Sequence, residues 1–296
     1  MSSFICLTKR NVKLYFKDKG AFIPSLITPL ILLVLYATFL ANVYRDNFLL
    51  SLPEELRLNE KIINAAVAGQ LISSLFAVSC VTVAFCSNLL MIGDKANGTV
   101  NDITVTPVKR SVVASSYFAA SLFSTLTVAF STLAVCFVYL CTQGWYLSFV
   151  DVLCVILDVF LLTAFGTSLS SCIHFFLSTN GQASAVGTII SSGYGFICGA
   201  YMPISTFPVW LQRVLGFLPG TYGTALLKNH LLRGAFDEME NLGFPEEAVS
   251  GMKQAVGCDI AFFSHNVPIG VMLAIIVAAD IVFTGIFVLL HKKSKK

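Results

Sequence analysis

Apolar residues in this chain fall in long continuous runs separated by short polar stretches. Six runs are long enough to cross a bilayer as helices: residues 21–41, 63–92, 112–140, 149–173, 183–202 and 267–290. A spanning helix needs about 20 apolar residues. Barrel strands would instead alternate polar and apolar positions over about 10 residues, and no such alternation is seen. The second, third and fourth runs exceed the required length, so those helices tilt or project beyond the bilayer. The first run is too long for the core of a cleavable signal, which is about 7–15 residues, and reads as a retained span. Residues 1–20 form a separate amphipathic segment before and into it. Lys9, Lys13 and Lys17 recur at i, i+4 with Arg10 beside them, while Phe4, Ile5, Leu7, Val12, Tyr15 and Phe16 fall on the other side. That division predicts a helix lying in the membrane interface, lysines toward headgroups and water. Its lysines are explained by orientation alone under the positive-inside rule; a docking surface for a cytoplasmic partner is the second reading.

Two connecting segments depart from ordinary loops. Residues 93–111 are polar with basic flanks. A short helix is predicted over 101–105, stopped by Pro107, because the residue before a proline is pushed out of the helical region. Residues 203–234 are moderately apolar but interrupted by Pro203, Pro208, Pro219, Gly216, Gly220 and Gly223. Ser205 or Thr206 is expected to cap a helix running to about Phe217. Pro219-Gly220 turns the chain, and a second helix runs over 221–232. Neither piece spans. The pair reads either as a hairpin that dips into the outer leaflet against protein or a wet cavity, or as a flat interfacial loop anchored by Trp210. Residues 235–266 are acidic, with helical tendency at 245–256, and are too short for a catalytic domain of at least about 50 residues.

Composition sharpens the class. Hydrophobic residues make up 56% and charged residues 12% of the 296, with a mean hydropathy of +0.81. A soluble domain carries roughly 25% charged residues, so a soluble enzyme and a disordered chain are both excluded. The predicted fold is an all-α polytopic membrane protein: one domain over 1–296, six transmembrane helices, an N-terminal interfacial helix and an outer re-entrant helical hairpin. Of the 19 basic residues, 12 fall on one side of this layout and 7 on the other. The basic-rich side includes the first 20 residues and the lysines of the 291–296 tail. Both termini are therefore expected in the cytoplasm, in a multi-pass protein of the cell membrane, with residues 235–266 outside. The acids Glu54, Glu55, Asp237, Glu238, Glu240, Glu246, Glu247 and Asp259 sit on the outer side. The net charge of +3 is explained by this segregation, and no nucleic-acid partner is expected. The nine cysteines show no C-x-x-C pair; Cys141 and Cys258 fall on the side where a disulfide could form.

Candidate chemistry is sparse. There is no phosphate-binding G-x-x-x-x-G-K-[ST] loop, no H-E-x-x-H and no G-x-S-x-G. The histidines lie at or beyond span ends, without ligand spacing. No catalytic, cofactor-binding or metal-binding residue is therefore expected. Asp158 and Asp280 are the acids deep within spans, with no Lys or Arg in a span to meet them. Intramembrane acids invite a functional hypothesis. They fit either a structural hydrogen bond between helices or, in a proton- or ion-coupled secondary transporter, a proton relay.

Several short motifs, in order, carry a resemblance. They are Thr8-Lys9-Arg10-Asn11 and Lys17-Asp18-Lys19 before a first span containing Pro24 and Pro29; Gly98-Thr99 followed by Thr106-Pro107-Val108-Lys109-Arg110; and Gly199, Pro203, Phe207-Pro208, Leu211, Pro219 and Leu232-Arg233-Gly234. Over most of its length the chain resembles the type-2 (ABC-2) permease family of ATP-binding-cassette transporters. Asp94 stands where the family often has glutamate, and no glycine-lysine pair precedes the third span. The resemblance implies a permease subunit that exports an amphipathic substrate such as a drug, lipid, peptide or glycan. It implies a second permease copy, identical or homologous, and two separate ATPase subunits that hold ATP and Mg. It also implies coupling through the interfacial helix and the loop after the second span, and so through Lys9, Arg10, Lys13, Lys17, Gly98, Thr99, Thr106, Pro107, Lys109 and Arg110.

Overall fold

The computed structural model describes residues 2–50, 60–263 and 265–293. Helix α1 (Ser2–Lys17) leads into α2 (Lys19–Leu35), which continues through a π-helical turn at Tyr36–Leu40 into α3 (Ala41–Leu50). Then come α4 (Glu60–Ser87), α5 (Leu89–Ala96), α6 (Thr99–Val105), α7 (Arg110–Gln143), α8 (Phe149–Phe175) and α9 (Asn180–Ile197). The chain closes with α10 (Val209–Leu215), α11 (Pro219–Asn241), α12 (Glu246–Val256) and α13 (Ile269–Lys293). A two-residue antiparallel ribbon, β1 (Ala261–Phe262) with β2 (His265–Asn266), precedes α13. Glu54, Glu55 and the tail lysines Lys295 and Lys296 lie outside the described residues.

Five helices are long and apolar enough to cross a membrane: Lys19–Asp46, Glu60–Ala96, Arg110–Gln143, Phe149–Phe175 and Ile269–His291. They coincide with five of the six expected runs. The fifth run becomes α9, whose 18 residues reach about 27 Å at 1.5 Å per residue. Its apolar positions are diluted by Asn180, Gln182, Ser184, Thr188, Ser191 and Ser192, so it is less apolar than the other five.

Helix α4 is the axle. It is apolar all round, as expected of a fully enclosed helix, and almost every residue from Ile62 to Phe85 is buried. Helices α2, α7, α8, α9 and α11 pack around it. Small residues such as Ala65, Ala66 and Ala68 let the neighbours approach closely. At the periphery, α2 and α13 bury only a small share of their residues, the pattern of helices that meet lipid or another subunit. Pro24 and Pro29 lie within α2.

The 203–234 segment forms two helices, but the chain turns at residues 216–218, and Pro219 and Gly220 open the second helix instead of making the turn; two further expected features also change. First, neither Ser205 nor Thr206 caps the first helix. Residues Ile204–Thr206 make a 3-10 turn, Thr206 Oγ1 donates to Pro203 O at 2.7 Å, and α10 starts after Pro208. Second, α11 does not stop at 232. Leu231, Leu232, Ala235, Phe236 and Met239 continue its buried face, and no Pro interrupts them before Asn241. Near its start, α11 packs against Leu162, in the middle of α8, since a Cβ at position 223 would lie 2.5 Å from Leu162 Cδ2. Farther along, at Gly234, the backbone touches the α7–α8 connection: an added Cβ would sit 2.0 Å from Tyr146 O. No residue but glycine fits there. Helix α11 therefore climbs from mid-depth of the bundle, roughly 20 Å along α8, back to the end where α8 begins.

Helix α12 follows its sequence. Val249, Met252 and Val256 share one buried face, Glu246 and Glu247 occupy the first turn, and Lys253 the last, charges that suit the helix dipole. All nine cysteines are free; Cys258 is buried and Cys141 exposed, so the suggested disulfide is not formed.

Candidate functional site

At one end of the bundle, α1 lies across α7. Asn11 and Tyr15 are buried one turn apart, while Lys9, Lys13 and Lys17 are exposed. The lysine stripe expected from periodicity is thus an open surface. Arg10 behaves differently from the lysines it was grouped with. Its Nη1 donates to Asp94 Oδ2 at 2.7 Å, and Tyr117 Oη donates to the same oxygen at 2.5 Å. Hydrogen bonding to Asp94 raises the Arg10 pKa above its ordinary value. Asn11 Nδ2 donates to Ser116 Oγ at 3.4 Å, and the Tyr15 and Ser25 hydroxyls meet at 2.6 Å. Helix α1 is therefore clasped to α5, α7 and α2 by polar contacts along its inward face.

Helix α6 sits between these braced elements. It begins at Thr99, two residues before the expected start, because Gly98 adopts φ +78° and turns the chain out of α5. The space around Gly98 is open, so backbone conformation, not crowding, calls for glycine. Its other end follows the pre-proline rule: Thr106 is extended, with φ −74° and ψ 158°. Thr106 Oγ1 donates to Ile103 O at 2.5 Å. No residue of α6 is buried, and Val105 is 87% exposed. Lys109 and Arg110 are exposed where α7 begins. Behind α6, Lys95 Nζ donates to the carbonyls of His174, Phe175 and Leu177 at 3.1–3.3 Å, tying α5 to the end of α8.

A groove runs up the bundle between α2, α4 and α9. Three adjoining cavities of about 430, 540 and 190 Å³ share Cys86. The first lies at the α1 end, beside Asp18 and Asp94. The other two are lined without any charged side chain, by Phe85, Leu32 and Val78 together with Ser25, Thr28, Thr188 and Ser191. Thr28, Thr188 and Ser192 each donate to the carbonyl four residues back. Such hydroxyls keep a lone pair turned outward without stranding a donor in an apolar setting.

Asp158 is buried on α8 and pairs with a residue the sequence placed outside the spans: His230 Nδ1 on α11 lies 2.6 Å from Asp158 Oδ2. The two are 72 residues apart, so spacing gave no signal. The link joins two helices. Arg233, one turn farther along α11, lies 3.7 Å from Asp151 Oδ1 and 3.8 Å from Asp237. Asp280 stands apart from the pair: its Oδ1 is buried without a hydrogen-bond partner among the described residues. Pro203 precedes the 3-10 turn at Ile204–Thr206, Pro208 immediately precedes α10, and Pro219 is the first residue of α11. The structure does not bring the prolines to the α6 end.

These elements define a multi-pass helical membrane protein with a braced, exposed helix at one end. The chain belongs to the ABC-2 type transporter family, whose model matches residues 2–231; it is a permease of an ATP-binding-cassette transporter. No curated protein matches the chain significantly.

Proposed function

We propose that this chain is the membrane subunit of an exporter energised by separate ATP-binding-cassette ATPase subunits, and that α6 is its coupling helix. The observation that carries the reading is α6 itself: a helix with no buried residue and with Asn101, Asp102 and Val105 exposed, fixed at one end by Gly98 and at the other by Thr106-Pro107, between α5 and α7, which are both fastened to α1. A stiff exposed helix passes on a push that a flexible connector would absorb. The ATPase end is the cytoplasmic one, in keeping with the basic residues gathered there. In this orientation both termini are cytoplasmic, α9 completes six spans, and α10–α11 is a re-entrant hairpin of the outer leaflet. Val209, Trp210, Val214 and Phe217 are exposed on α10 or just after it, as suits a helix facing lipid. On this reading ATP and Mg are held by the partner chain.

The groove between α2, α4 and α9 is half of a translocation path, closed by a second permease copy against the exposed faces of those helices. Its uncharged, hydroxyl-bearing upper lining suits an amphipathic substrate with an extended apolar part. Asp158 and His230 hold α8 to α11 and lie away from this path. The test is reconstitution into liposomes with and without the ATPase subunit. Substrate accumulation should require both chains and hydrolysable ATP. Transport by the chain alone on a proton gradient would instead favour a secondary transporter.

A further inference from the structure

At the end of the bundle away from α6, the hairpin, α12 and the β1–β2 ribbon enclose a cavity of about 340 Å³. Pockets for small ligands start near this size, about 300 Å³. Its lining mixes apolar and polar surface, with Thr221, Thr224, Gln254 and Asn266 among the polar residues that face it. Lys228 forms part of the same wall and is only 2% exposed. Its Nζ donates to Gly199 O at 2.8 Å, one of the three hydrogen bonds an ammonium can give. Among the described residues no carboxylate lies within ion-pair distance of it. Gly257 keeps the approach to the ammonium clear, since a Cβ there would stand 3.4 Å from Nζ.

A buried cation without a counter-charge costs stability. A leucine or methionine would fill the same volume without that cost. Thr221 and Thr224 send their hydroxyl protons to Leu215 O and Gly220 O, so they offer lone pairs and not donors. The ammonium is therefore the strongest donor left in the cavity. Asp259 lines the same cavity and is exposed; its carboxylate repels a second negative charge. We propose that this cavity binds a small, singly charged oxyanion, a carboxylate or a phosphodiester, whose anionic group pairs with Lys228 Nζ. Either a soluble molecule or an outer-leaflet lipid headgroup presents that chemistry. The site is separate from the groove and from α6, and stands whether or not the coupling reading holds.

The experiment uses the full chain in a neutral maltoside detergent, as wild type and Lys228→Met. Thermal unfolding is followed while propionate or dimethyl phosphate is added, with sulfate at matched ionic strength as the dianion control. The wild type should gain several degrees at saturating monoanion, less with sulfate, and K228M should not respond. Without added anion, K228M should unfold at the same or a higher temperature. A lipid source is read by native mass spectrometry after extraction from phosphatidylglycerol liposomes: phosphatidylglycerol retained by the wild type and lost from K228M assigns the site to a headgroup. If K228M does not accumulate, Lys228→Gln takes its place in every arm. The proposal fails if neither soluble monoanions nor phosphatidylglycerol distinguish wild type from the variant. It also fails if the variant unfolds at a lower temperature without anion, since Lys228 would then be a structural strut.

Discussion

Removing the Arg10 guanidinium should release α1 from the bundle without disturbing the spans. Arg10 and Asp94 are 2.7 Å apart, and Tyr117 bonds the same carboxylate oxygen. A hydrogen bond to a charged group contributes about 1.5–3 kcal/mol. The Arg10 side chain is about a third exposed, so solvent screening places its share toward the lower part of that range, at ~2 kcal/mol. Asp94→Ala should cost about 1 kcal/mol more, because it also strands the Tyr117 hydroxyl. A change of ~2 kcal/mol is roughly thirtyfold in an equilibrium constant. Hydrogen exchange of the detergent-solubilised protein reads this directly. Amides of α1 should lose about that factor of protection in Arg10→Ala, while those of α4 stay unchanged. The double variant R10A/D94A should lose little more than D94A alone, because both remove one interaction. ATP hydrolysis by the assembled transporter should become insensitive to substrate in both variants. Unchanged α1 protection in R10A, or losses that add in the double variant, would refute the clasp.

Two other perturbations follow from the same geometry. His230→Ala should destabilise the chain by about 3–5 kcal/mol, because it leaves Asp158 buried and unpaired, whereas His230→Leu with Asp158→Leu should cost much less; thermal unfolding in detergent separates the two, and equal losses would show that the pair is not the cause. Gly98→Ala should fold and insert normally yet lose most substrate-stimulated ATP hydrolysis, since the left-handed turn that aims α6 costs an L-residue about 1–2 kcal/mol; normal stimulation in G98A would show that this turn does not set the coupling geometry.

Much of the architecture was readable from apolar runs, because five spans are longer and more apolar than any soluble alternative allows. Helix α6 was readable because Pro107 marks its end by local sterics. Its start was not, since Gly98 gives the same letter whether it turns the chain or lengthens a loop. Helix α9 shows where counting apolar residues falters: a helix that lines a groove carries serines and threonines, which lower its hydropathy. The reach of α11 was missed because its buried face is completed by α4 and α8, partners that periodicity does not name. The same limit applies to the polar pairs. Arg10 sits beside the lysine stripe on α1, yet Asp94 draws it inward, and the separations of 84 residues for Arg10–Asp94 and 23 for Tyr117–Asp94 leave no local trace. Asp158 and His230 met for the same tertiary reason. Lys228 counts in the sequence only as one of the seven basic residues on the outer side, and its burial depends on the fold of the hairpin.

The central claim is that α6 contacts an ATPase in the cytoplasm. A photo-crosslinking residue in place of Val105, an exposed side chain of α6, tests it in living cells, with Glu247 on α12 as the counterpart at the other end. Adducts are identified by mass spectrometry. Position 105 should capture an ATP-binding-cassette ATPase, with a yield that changes when ATP is depleted, and position 247 should capture none. An ATPase adduct at 247, or none at 105 while the protein transports normally, would contradict the account.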